Sequence, residues 1–193
     1  GPEDVAERMA PFTWFLDRVD GGVALTQAGY LPTPLVREGW TRFGWDLGWT
    51  DRPPRSESEL GPLFELHLLT RRLGAVHRRG GRVSLSSHGR LIRGDPGAAW
   101  RAVAAGLSPG DWARAVAEVF TFMLLEGEQH DEELKQRAVT MLAESGWRLD
   151  GEPPGTMAVT TAWWSTRRTL EAIGGFAPRS DRGVRSTRLT SFG

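Results

Sequence analysis

Between residues 58 and 89 the hydrophobic positions follow two different periods. Up to residue 73, leucines and a phenylalanine recur at helical spacing and cover most of the helix circumference. From residue 76 to 85, apolar and polar residues alternate as in short strands, and Gly80-Gly81 stands between Arg79 and Arg82, as suits a tight hairpin. The pattern therefore predicts a largely buried helix followed by a β-hairpin.

The end of this hairpin carries a short motif, Leu-(Ser/Thr)-x-x-Gly, that occurs at residues 25–29, 85–89 and 189–193. Each copy follows a helical segment and a turn, and its hydroxyl residue can cap a following helix. The positions two residues before each leucine favour a β-strand and are Val23, Val83 and Thr187. The recurrence predicts repeated helix–hairpin units, with chance recurrence of a turn-rich motif as the alternative.

Helical periodicity and turn signals predict the rest of the architecture. Further helices are expected over residues 3–19 with a new segment at Pro11, over 33–43 with Thr33 as cap, around Trp100 and Val103, and over 111–126, 131–145 and 160–174. A turn cluster at 94–97 separates two domains, 1–95 and 96–193. The first would hold an additional helix and hairpin (3–31, hairpin 21–29) before a complete unit (32–92), and the second a complete unit (111–193).

The helix expected over residues 160–174 offers a polar face to a partner. At 100° per residue, Thr161, Trp164, Ser165, Arg167 and Arg168 fall on the side opposite its apolar stripe. Arginine and hydroxyl side chains suit contacts with phosphates and base edges. A solvated face, with the tryptophan packed on a neighbouring subdomain, is an equal alternative.

The formal net charge is zero, but the charges are unevenly distributed. Residues 61–100 contain seven arginines against two carboxylates, and residues 153–193 contain six against two. Both basic segments include a predicted hairpin, which is where a helix–hairpin unit would meet a polyanion. The helix over 58–73 is a poorer candidate for that contact, because it is apolar nearly all round and Glu57, Glu59 and Glu65 add negative charge.

Other chemistry has weaker support. The chain has no cysteine, its four histidines lack a catalytic or zinc-helix spacing, and no glycine-rich phosphate loop is present. The acidic residues within 126–133 match no metal motif and are typical of a helix N-terminus. The aromatic cluster of residues 40–49 could stack on bases, but packing at a subdomain junction is favoured. Without a signal peptide or a membrane span, we expect a cytoplasmic protein.

Two stretches resemble known families. Residues 73–89 (LGAVHRRGGRVSLSSHG) resemble the recognition-helix end and wing of bacterial winged-helix regulators. A longer set, residues 14–16 (WFL), 25–32 (LTQAGYLP), 95–96 (DP) and Trp100, is similar to the region downstream of the plasmid ORF-three-like domain in uncharacterised proteins of high-GC bacteria. The first resemblance implies winged-helix units. The second covers about the first half of the chain, lacks the ORF-three-like domain itself and implies no activity.

We therefore predict a mainly α fold with small β-hairpin wings, built from tandem winged-helix-like units. The favoured function is non-enzymatic binding of double-stranded DNA without a cofactor or metal, and the alternative is a protein–protein interaction scaffold. Candidate partners are DNA, another protein or an upstream domain of the same chain, and no membrane. The candidate DNA-binding residues are Arg78, Arg79, Arg82, Thr161, Trp164, Ser165, Arg167, Arg168, Arg182, Arg185 and Arg188.

Overall fold

The computed structural model describes residues 6–7, 9–45, 52–107, 110–125, 129–173 and 186–187. They form two compact units, whose main bodies run up to Gly106 and onward from Leu107. Helices dominate both units, and each unit has a small antiparallel sheet, so the prediction of a mainly α fold with small β elements is confirmed. The predicted domain boundary at residue 95 lies one helix before this division.

The first unit alternates helices with three short strands. Its elements are α1 (Ala10–Val19), β1 (Val23–Ala24), α2 (Thr33–Phe43), a 3-10 turn (Glu57–Glu59), α3 (Gly61–Arg72), β2 (Val76–Arg79), β3 (Arg82–Leu85), α4 (Ser87–Arg93) and α5 (Pro96–Gly106). Pro11 opens α1 as predicted, because a first-turn N–H has no intrahelical acceptor to lose. Thr33, predicted as the cap of α2, is instead its first residue, and its hydroxyl donates to the Arg55 carbonyl at 2.7 Å.

The three strands form one antiparallel sheet in the order β1-β3-β2. Val23 of β1 stands opposite Val83 of β3, which is its counterpart in the repeated motif. The expectation that residues 21–29 form an additional, separate hairpin is therefore wrong. This segment supplies an edge strand to the sheet of the later hairpin, so that the whole of the first unit is a single helix–sheet assembly.

The core of the first unit lies between α1, α3 and the inner face of the sheet. The side chains that are at most 1% exposed at its centre come from these elements and are Phe12, Phe15, Leu16, Leu63, Leu66, Leu69, Val83 and Leu85. Burial of this apolar surface is the main force that holds the hairpin against the helices.

The Leu-Ser-x-x-Gly motif fixes how α4 follows the hairpin. The Ser86 hydroxyl caps α4 by accepting from the Gly89 N–H at 2.9 Å, as predicted, and donates to the Gly74 carbonyl at 2.6 Å. A Cβ at Gly89 would lie 2.0 Å from the Ala75 carbonyl oxygen. Glycine is thus required there because the start of α4 touches the backbone of the α3–β2 turn.

The second unit has a similar element order. It contains α6 (Asp111–Leu125), β4 (Gln129–His130), α7 (Asp131–Glu144), α8 (Thr156–Ala172) and β5 (Ser186–Thr187), and β4 pairs antiparallel with β5. Phe120 of α6 stacks on Trp163 of α8 with ring centroids 4.3 Å apart. Helix α8 begins four residues before the predicted start at Thr160. Within the described ranges, no helix combines the length and hydropathy of a membrane-spanning segment.

Candidate nucleic-acid interface

The hairpin of the first unit is closed by a two-residue turn. Gly80 and Gly81 both adopt positive φ values, 56° and 70°, which glycine takes without the penalty that a side chain would bring. The turn sets the register in which Arg79 stands opposite Arg82, so both arginines lie at the tip. The prediction of a tight hairpin at this position is confirmed.

The pleat of the sheet gives the hairpin two different faces. Val76 and Leu85, which stand opposite each other, are buried, and Val83 follows them on the same side. This side is the inner face of the hairpin, and alternation places Arg78 on it. The side chains on the opposite side, here called the outer face, are His77, Arg79, Arg82 and Ser84. The three hairpin arginines of the predicted site are therefore divided between the two faces.

Arg78 covers a turn of the same unit. A Cβ added at Gly29 would lie 2.8 Å from Arg78 Nη1, so the guanidinium rests against the backbone of that residue. The turn is closed locally, since Thr26 Oγ1 accepts from the Tyr30 N–H at 3.1 Å. Thr26, predicted to cap a helix as Ser86 does, closes a turn instead. Arg78 has a structural neighbour, although its side chain is exposed.

Arg82 is held in place on the outer face. Its Nη2 donates to the Gly22 carbonyl at 2.5 Å, and a Cβ at Gly22 would lie 3.4 Å from its guanidinium nitrogens. Across the two hairpin strands, His77 Nε2 of β2 and Ser84 Oγ of β3 lie 3.1 Å apart. Arg79 is exposed beside them. The outer face thus brings donors from two strands together on a surface flanked by a glycine.

Two further arginines precede the hairpin. Arg71 and Arg72 occupy the last turn of α3 and are exposed. The sequence placed them in a basic segment, and the structure puts them at the helix end that leads into β2. Cations at a helix C-terminus are favoured by the helix dipole, which accounts for part of their presence.

The five arginines of this segment share an electrostatic property. In the described part of the chain, none of Arg71, Arg72, Arg78, Arg79 and Arg82 forms an ion pair with a carboxylate. Four other exposed or half-exposed arginines of the same unit are paired, Arg18 with Glu38, Arg90 and Arg93 with Asp20, and Arg101 with Asp95, whereas the exposed Arg37, Arg42 and Arg55 also form no ion pair with a carboxylate among the described residues. The positive charge from α3 to β3 is therefore uncompensated by neighbouring acids.

Helix α3 itself has little polar surface to offer. Leu63, Leu66 and Leu69 are fully buried, and the less buried stripe carries Phe64 and Leu68 before it reaches the two arginines. This agrees with the expectation that α3 is apolar nearly all round. The exposed cationic side chains of α3 are thus at its C-terminal end.

The acidic residues near α3 differ from the sequence interpretation. Glu57 is fully buried, its Oε1 lies 2.7 Å from His67 Nδ1, and its Oε2 accepts from the Leu31 N–H at 2.6 Å. Glu65 is 7% exposed. Both carboxylates are buried within the unit, so they add less negative charge to the surface of α3 than expected. Sequence reasoning missed this buried network, and a glutamate ten residues before a histidine carries no recognisable signal of it.

The candidate face of α8 is only partly exposed. Thr161 is exposed and Trp164 is 48% exposed, as predicted. The guanidinium carbons of Arg167 and Arg168 lie 5.9 and 5.1 Å from the Trp164 ring centroid. Arg167 is only 8% exposed, which corrects the expectation that it lies on an open face. Its neighbours Thr166 and Thr169 are also buried, so α8 is enclosed round most of its circumference here.

The remaining predicted positions lie outside the described residues. They are the side chain of Ser165 and the residues Arg182, Arg185 and Arg188. The acidic group at 126–133 also falls largely outside them. Within the described part, no group of three or more metal-binding side chains is found.

The aromatic cluster that begins with Trp40 packs inside the first unit. The ring centroids of Trp14 and Phe43 lie 5.3 Å apart, and those of Phe43 and Trp45 lie 4.9 Å apart. Trp14 and Trp45 are 5% and 8% exposed, so they cannot serve as a stacking platform. Trp49 lies outside the described residues.

Comparisons of the chain with protein-family models, curated proteins and solved structures find no match.

Proposed function

We propose that the chain binds double-stranded DNA without catalysis, and that the segment from the end of α3 through the hairpin contacts its phosphates. The observation that carries this proposal is the group of five exposed arginines without carboxylate partners in the described residues, Arg71, Arg72, Arg78, Arg79 and Arg82. Such arginines bind phosphate oxygens and release condensed counterions, which favours association with a duplex.

The element order supports tandem winged-helix-like units. In the first unit, the strand that follows the first helix pairs with the strand that ends the hairpin. In the second unit, the strand after α6 pairs with the strand after α8, and the described elements follow the same order except that the first unit has the additional strand β2 before β3. The pairing strands β3 and β5 lead into the motif copies at residues 85–89 and 189–193, whereas the copy at 25–29 also belongs to the first unit. Folds of this class position a helix end and a hairpin together on a polyanion.

Salt dependence tests the proposal directly. Affinity of the full chain for a short duplex of arbitrary sequence is measured by fluorescence anisotropy over a series of salt concentrations. We expect the logarithm of the association constant to fall linearly with the logarithm of salt concentration, and R71A/R72A/R79A/R82A to reduce the slope by roughly 0.9 for each phosphate contact removed. Absence of duplex binding in low-salt buffer would contradict the proposal.

A matched control separates a local effect from loss of total charge. R18A/R101A removes arginines of the same unit that are paired with Glu38 and Asp95. We expect this variant to change the slope little, since its arginines are partly neutralised by their partners. An equal effect per arginine in both variants would mean that the hairpin segment is not a specific contact.

A protein–protein interaction scaffold is the second candidate. It is favoured by the half-buried stripe of Phe64 and Leu68 on α3, which is unlike the polar surface of a helix that reads base edges. F64S/L68S tests it: a scaffold would lose its partner while duplex binding stayed the same, whereas the proposed phosphate contacts do not depend on this stripe.

A further inference from the structure

The outer face of the hairpin carries several polar side chains close together on two adjacent strands. His77 and Ser84 are cross-strand partners with 3.1 Å between Nε2 and Oγ, and Arg79 and Arg82 form the next pair toward the tip. A hydroxyl, an imidazole and two guanidiniums therefore lie on one side of two adjacent strands. Because His77 and Ser84 bond to each other, one of these two donors and both guanidiniums are left to donate to an anionic oxygen.

The residues that border this face on the side of β1 are small. Ala24 of β1 stands opposite Arg82, and Gly22, which directly precedes β1, has its missing side chain facing both Arg82 and Ser84. A Cβ at Gly22 would lie 3.4 Å from Arg82 and 3.7 Å from Ser84, and its φ of 77° disfavours any other residue. The edge strand β1 therefore has no long side chain beside Arg82 and Ser84 that would cover them.

We propose that the outer face is a phosphate-binding subsite, in which Arg82 and the Ser84 hydroxyl, itself accepting from His77 Nε2, donate to the oxygens of one phosphodiester group and Arg79 binds the adjacent one. This inference rests on the proposed binding of double-stranded DNA and refines it. Arg78 does not take part, because its side chain belongs to the inner face and rests against Gly29. The subsite makes neutral donors, and not only arginines, contribute to duplex affinity.

The neutral donors provide the test. H77Q and S84A are compared with H88Q and S87A, which change an exposed histidine and an exposed serine of α4, outside the outer face. We expect H77Q and S84A each to weaken duplex binding by the full chain about threefold to tenfold, the usual net effect of losing one hydrogen bond, and the controls to change it little. S84A should leave the salt slope unchanged, because it removes no charge.

The outcomes separate this inference from the proposed function. If the wild-type chain binds the duplex and H77Q and S84A behave like their controls, the subsite is wrong while DNA binding stands. If the wild-type chain does not bind a duplex, both proposals are wrong. Thermal unfolding of each variant identifies any that has lost its fold, and for such a variant the more conservative S84T and H77N replace it.

A second measurement identifies the source of the phosphate. The ring resonances of His77 are followed by NMR while the full chain is titrated with a duplex or with inorganic phosphate alone. We expect the duplex to shift them at lower concentration than inorganic phosphate does. Shifts with inorganic phosphate but none with the duplex would assign the subsite to a free phosphate group and overturn the inference.

Discussion

The two candidate surfaces, the hairpin of the first unit and the α8 face of the second, contain similar residues in different surroundings. On the hairpin, Arg79 is exposed, and among described residues it has no carboxylate partner. On α8, Arg167 is buried, and the guanidiniums of Arg167 and Arg168 lie over Trp164. A guanidinium over an aromatic ring already has a favourable partner, which a phosphate must displace or share.

This difference shows that sequence charge alone does not rank binding surfaces. Both segments are basic by a similar margin, and helical periodicity gave α8 the better prospects. The hairpin is favoured because its two strands hold the arginines at the surface, whereas α8 is buried round most of its circumference near Arg167. The hairpin is therefore the stronger candidate for phosphate contact, and DNA contact by α8 stays a prediction.

The largest effect is expected from a residue that carries no charge. G89A would place a Cβ 2.0 Å from the Ala75 carbonyl oxygen and force α4 away from the α3–β2 turn. We expect a loss of about 3 kcal/mol or more in the free energy of unfolding, because neither backbone segment can yield easily. Duplex binding should fall with it, since the hairpin depends on this packing.

Urea unfolding followed by circular dichroism measures this loss. G94A is the matched control, because Gly94 ends α4 at a φ of −80° and a Cβ there meets nothing within 4 Å. That variant should retain its stability or gain slightly. Equal stability of G89A and G94A would show that the motif glycine does not anchor the hairpin.

Single arginine substitutions measure how much each of the two surfaces contributes to duplex binding. R79A removes a hairpin arginine that has no carboxylate partner in the described residues, and R168A removes one that lies 5.1 Å from the Trp164 ring centroid. We expect R79A to lower the salt slope of duplex binding by about 0.9 and R168A to lower it by less than half as much. The measurement is anisotropy over a salt series. If R168A lowered the salt slope more than R79A does, α8 and not the hairpin would be the main phosphate-contacting surface.

The sequence predicted local features well and distant ones poorly. The glycine turn, the alternation of residues 76–85 and the cap at Ser86 depend on neighbours in the chain, and each is present. The pairing of Val23 with Val83 joins segments about sixty residues apart, and no local pattern distinguishes an edge strand from a second hairpin. Burial of Glu57 and Arg167 likewise depends on contacts that periodicity does not contain.

The division of the hairpin arginines between two faces is already visible in the sequence. Arg78 lies two residues after Val76, and Arg79 lies two residues after His77. The pleat therefore assigns Arg78 to the inner face with Val76, and Arg79 to the outer face with His77. The charge of the three hairpin arginines is the same on both faces, so charge alone does not reveal this division. Alternation within a short strand is therefore a better guide to which arginines can share a phosphate contact than their number is.

The smallest expected effect tests the division between the hairpin faces. R78A should lower the free energy of unfolding by about 0.5 kcal/mol, because the guanidinium and its aliphatic stem no longer cover the turn at Gly29. Its salt slope should change less than that of R79A, which lies on the outer face and should leave stability unaltered. Urea unfolding and anisotropy on the same two variants give both quantities. If R78A reduced the slope as much as R79A while stability stayed constant, both faces would contact the duplex, and the hairpin would have to lie with its edge, and not its outer face, toward the phosphates.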